Sequence, residues 1–71
     1  MINLGQKSAH ESDYVVESKN LVKIAAEGKT EGIVLAEMFF EMDKKYPKRG
    51  WAQAGRLIFN RWAKKKGVSQ I

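Results

Sequence analysis

The order of apolar and polar positions divides the chain into three segments of unequal clarity. The clearest is "TEGIVLAEMFFEMDKKY", residues 30–46. At about 100° per residue, Glu37, Glu41, Lys44 and Lys45 fall in one narrow strip. Ile33, Val34, Leu35, Ala36, Met38, Phe39, Phe40, Met42 and Tyr46 fill the rest of the circle. The apolar arc is roughly twice the ~100° stripe of a surface helix, so this helix must be covered on two sides. Thr30 is placed to cap it, Glu31 suits its positive pole, and Pro47 ends it by disfavouring the helical state at Tyr46. Gly32 in the first turn costs of order 1 kcal/mol against alanine.

A second helix is predicted from about Trp51 to Lys66. Trp51, Gly55, Ile58 and Trp62 follow the i, i+4, i+7, i+11 spacing of a single seam, flanked by Ala52 and Phe59. Gly55 lacks a side chain in the middle of that seam, so a neighbouring helix can approach closely there. Lys64, Lys65 and Lys66 suit the negative C-terminal pole, and Gly67 followed by Val68 reads as a glycine stop with an apolar clasp. The connection "PKRG" is short enough to join antiparallel helices.

The segment "YVVESKNLVKIAAEG", residues 14–28, is ambiguous. As a helix it gathers Tyr14, Leu21, Val22, Ala25 and Ala26 on one face, with Ser12 or Asp13 as cap and Gly28 as stop. As a β-hairpin it breaks at "SKN". Helix is favoured because no strong two-residue hairpin turn is present. Residues 1–12 have no periodicity and are expected to form a flexible tail. The expected fold is mainly α: a small helical domain over residues 13–71 with a C-terminal antiparallel αα-hairpin. A homodimer is expected to cover the apolar arc that remains.

Size sharpens that expectation. A chain of 71 residues makes one domain and is marginally stable by itself. Cysteine is absent and histidine occurs once, at His10, which leaves packing and oligomerisation rather than disulfides or zinc as sources of stability. No apolar run approaches the ~20 residues of a membrane span, and the N-terminus lacks a signal-peptide pattern. A cytoplasmic location follows as the default.

Charge changes the picture most. The net charge is +5, but residues 1–43 hold four lysines and all eight acids, while residues 44–71 hold nine Lys or Arg and no acid. This asymmetry points to an anionic partner or to head-to-tail subunits. Enzyme chemistry is not expected. Glu37 and Glu41 share a helix face but read as solvated partners of the following lysines. "GKTEG" lacks the upstream glycine and strand of a phosphate loop. No cofactor and no metal are expected.

The candidate contact residues for nucleic acid or an acidic protein surface are therefore Lys44, Lys45, Lys48, Arg49, Arg56, Asn60, Arg61, Lys64 and Lys65. Long cations on a surface free of acids neutralise phosphates and release counterions. Val34, Leu35, Met38, Phe39, Met42 and Leu57 are the candidate interface residues, Leu57 because it lies off the tryptophan seam among cations. The expected function is a small nucleic-acid-binding regulator or accessory module. The alternative is an inhibitor or adaptor that docks an acidic or nucleic-acid-binding site on a host protein. In composition alone, the chain is similar to phage- or plasmid-encoded accessory proteins.

Overall fold

In a computed structural model of the chain, the backbone of residues 2–71 and the side chains of residues 12–71 are described. All the regular structure among them is helical: α1 (Ile2–Glu27), α2 (Gly32–Lys45) and α3 (Trp51–Lys66). Residues 1–11, most of the segment where a flexible tail is expected, lie outside the described side chains. The segment from residue 14 is helix rather than hairpin. It is not capped at Ser12 or Asp13, because α1 passes through both.

The α1 helix ends at Gly28, which takes a left-handed φ of +70°. That conformation costs glycine no Cβ clash. The N-cap of α2 is Glu31 rather than Thr30, and it makes no side-chain capping bond. Its carboxylate is engaged elsewhere, as described below. Tyr46 closes α2 by donating its backbone N–H to the Met42 carbonyl, and the chain turns through residues 46–50. At the end of α3, Gly67 adopts φ +76°, and the Val68 N–H donates to the Ala63 carbonyl at 2.9 Å. Val68 is about half exposed, so this stop relies on hydrogen bonding more than on an apolar clasp.

The α2 helix is covered on two sides, as its wide apolar arc requires. On one side α3 runs antiparallel to it. Phe39 and Phe40 meet Gly55, where an added β-carbon would come within 2.9 Å of the Phe40 ring. The close approach expected at Gly55 is therefore realised. On the other side Leu21 of α1 packs against Phe39 and Met42, and Tyr14, Ala25, Leu35, Met38, Tyr46, Trp51, Ala54 and Ile58 surround them.

The α1 stripe is narrower than the periodicity suggests. Tyr14, Leu21, Ile24 and Ala25 turn inward, but Val22 and Ala26 are exposed. A helix held along one side covers only about 100° of its circumference, and these two residues lie beyond that arc. The resulting core is small. Leu21, Ala36, Phe39, Met42 and Ala63 are its buried apolar residues, and none of the described large side chains is fully buried.

Candidate nucleic-acid interface

The α3 helix carries two chemically opposed faces. Its inner face presents Trp51, Gly55, Ile58 and Trp62 to the rest of the chain. The Trp51 ring lies 5.4 Å from Phe39, centroid to centroid, and its indole N–H donates to the Tyr14 hydroxyl at 3.3 Å. The Trp62 ring packs at 5.6 Å against Phe59, and its indole N–H donates to the Glu31 carboxylate at 3.2 Å. Both indoles are half-buried and hydrogen-bonded, an arrangement that suits amphipathic rings at the edge of a core.

The outer face of α3 holds Gln53, Arg56, Leu57, Arg61 and Lys64, all exposed, and Lys65 is exposed at the edge of the tryptophan face. Leu57 is 67% exposed, the most of any large apolar side chain described. Arg56, Arg61, Lys64 and Lys65 take part in none of the ion pairs or hydrogen bonds found among the described residues. Arg61 and Lys65 also border a cavity of about 290 Å³ whose wall includes Trp62, Ile58 and Thr30.

The other expected contact residues divide by what they touch. Lys45 reaches back to α1 and pairs with Glu17 at 3.3 Å. Lys44 lies 3.8 Å from Glu41 on its own helix. The Arg49 guanidinium sits 4.1 Å above the centre of the Tyr14 ring, where the cation is drawn to the π face. The Asn60 amide donates to the Ile71 carbonyl at 2.8 Å and accepts the Ile71 N–H at 2.7 Å, holding Ile71 against α3. Lys48 is exposed and has φ +71°, an uncommon backbone state for a residue other than glycine. Of the nine expected residues, the four cations on α3 and Lys48 at the inter-helix turn make none of these contacts.

Among the expected interface residues, Phe39 and Met42 belong instead to the chain's own core. The apolar circumference of α2 makes them candidates in the sequence, and α1 and α3 bury that part of it. Leu35 and Met38 are half-buried, while Val34 and Leu57 are exposed. Periodicity misses the Glu31 contact. Besides accepting from Trp62, this carboxylate lies 3.9 Å from the Lys66 ammonium and so ties the start of α2 to the end of α3. No local pattern signals a bond between residues 31 apart in the chain.

No group of three or more His, Cys, Asp or Glu residues among the described residues is arranged to hold a metal. No helix among them is long and apolar enough to cross a membrane. No protein-family model, no curated protein and no solved structure matches the chain.

Proposed function

We propose that this is a non-enzymatic, cytoplasmic binding protein that grips nucleic acid through the outer face of α3. The observation that carries the proposal is the exposure of Arg56, Arg61, Lys64 and Lys65 without carboxylate partners among the described residues. Unpaired cations on a rigid helix lose little by meeting phosphates and gain from counterion release. The described acids lie on α1, on α2 and at the turn between them, so no acid on α3 repels a phosphate backbone. The binding unit in this reading is a homodimer, which presents two basic faces to one ligand and acts as a small regulator or accessory module.

Fluorescence anisotropy with labelled duplex DNA, single-stranded DNA and RNA tests the proposal. A complex should form at low salt and weaken steeply as salt rises. The Arg56→Glu/Lys64→Glu double variant should abolish it while the far-UV helical signal stays intact. Absence of any complex at low salt would remove the proposal.

Leu57 favours a second reading. An exposed leucine ringed by arginine and lysine resembles the apolar anchor and cationic flank of a protein-binding hot spot. In that reading the same face docks an acidic or nucleic-acid-binding site on another protein and acts as an inhibitor or adaptor. Affinity capture from nuclease-treated lysate separates the two: a stoichiometric protein partner, lost with Leu57→Asp, supports the second.

A further inference from the structure

The cavity of about 290 Å³ lies where the α1–α2 connection and the start of α2 meet the second half of α3. Thr30, Leu35, Ile58 and Trp62 are in its wall, together with Arg61 and Lys65. We propose that it receives one unpaired nucleotide of a single-stranded nucleic acid, with the base against the Trp62 indole and a phosphate at Arg61 and Lys65. This inference rests on nucleic acid being the ligand of α3, and it says which form of nucleic acid the chain selects.

The chemistry of the wall points to this ligand. Arg61 and Lys65 are one helical turn apart and so are neighbours on α3. Neither takes part in an ion pair or hydrogen bond found among the described residues. No carboxylate lines the cavity. The acids nearest to it in the sequence are Glu27 and Glu31. Glu27 is exposed. Glu31 is engaged with α3: it accepts the Trp62 indole N–H at 3.2 Å and lies 3.9 Å from the Lys66 ammonium. That bond occupies the indole N–H, whereas the Thr30 hydroxyl makes none of the hydrogen bonds found and is free to meet a base edge. Two cations beside an apolar wall with an indole and a hydroxyl suit a ligand that is anionic at one end and flat, aromatic and polar-edged at the other. A nucleotide has that form.

Size and position narrow the choice further. Ligand clefts span about 300–1,000 Å³, so this one stands at the small end and has room for one nucleotide, not for a base pair or a stacked run. Arg61 belongs both to the cavity wall and to the cationic face that carries Arg56 and Lys64, so a strand held on that face passes the cavity. Single-strand binding generally combines such a basic track with an aromatic ring that takes a base. A base within a duplex would first have to leave its stack and its partner, at a cost in free energy that an unpaired base does not meet.

Two strands of equal length and charge test this on the full chain: a labelled oligothymidylate and a strand of abasic units. By anisotropy at low salt, the oligothymidylate should bind about tenfold more tightly, the scale of one base–aromatic contact. Thr30→Tyr, in the connection between helices, fills the cavity with the chain's own ring and should cut that preference to less than about twofold, while binding of the abasic strand is unchanged. Trp51→Phe leaves Trp62 as the single tryptophan of the chain. In that variant the oligothymidylate should quench the emission, and neither the abasic strand nor a fully paired duplex should do so. Circular dichroism checks both variants for folding, and if either unfolds, the other together with the wild-type comparison decides. Absence of binding to both strands would overturn the proposed function and this inference with it. Equal affinity for the two strands, a preference that survives Thr30→Tyr, or binding without quenching would overturn the cavity's role alone and leave the phosphate grip of α3 in place.

Discussion

Gly32 lies directly against Trp62: a β-carbon added at Gly32 would sit 2.7 Å from the Trp62 Cβ. That Cβ is fixed to the α3 backbone and cannot swing away as the tip of a long side chain would. The two helices would have to separate at the end where Glu31 accepts from the Trp62 indole. Gly32→Ala is therefore expected to destabilise the fold by about 1–3 kcal/mol, the usual cost of overpacking, despite alanine's better helix propensity. Urea unfolding followed by circular dichroism checks this.

Tyr14 is the residue that most firmly joins α1 to the hairpin. Its ring lies 5.0 Å from Tyr46 and 6.4 Å from Trp51, beneath the Arg49 guanidinium. Tyr14→Phe removes only the acceptor for the Trp51 N–H and should cost about 0.5–1.5 kcal/mol. Tyr14→Ala also removes the ring and should cost about 3 kcal/mol, a large share of the roughly 4–10 kcal/mol available to a chain of this size. Tryptophan fluorescence should report a more exposed Trp51 in the alanine variant but not in the phenylalanine one.

Tyr46 is expected to titrate above the ordinary tyrosine range. Partial burial raises its pKa first, and the negative charges of Glu17 and Asp13 add to this, while Lys45 opposes it. The folded state thus favours the neutral phenol. Its contribution to stability is complete below the unfolded tyrosine pKa of about 10 and is lost as pH rises through the higher folded value. In a Tyr14→Phe background, phenolate absorbance against pH should show the raised midpoint, and Glu17→Gln should lower it.

Salt dependence should count the phosphate contacts on α3. Lys64→Ala should weaken binding to all sequences alike and reduce the slope of log affinity against log salt by about 1. Lys45→Ala should leave that slope unchanged, because Lys45 is already paired with Glu17. Equal effects of the two changes would show that the basic face extends along α2.

Periodicity makes the α2–α3 hairpin legible. The unbroken apolar arc of α2 and the Trp51–Gly55–Ile58–Trp62 seam are local, repeating signals, and Pro47, Gly28 and Gly67 punctuate them. The outward position of Leu57 among cations can be read from the same spacing. Less legible is α1, whose mixed β-branched and alanine content suits two conformations until Leu21 and Tyr14 find the Phe39–Met42 surface.

From the chain alone one can read which faces are apolar and where the positive charge collects, since both follow from helical geometry and side-chain type. Which of those cations are already occupied depends on distant partners: Glu17 for Lys45, the Tyr14 ring for Arg49. Asn60 is likewise hydrogen-bonded to Ile71, and Gly32 changes from a propensity cost to a packing requirement because Trp62 arrives from α3. Each of these outcomes comes from helices brought side by side, a distance that no local pattern encodes.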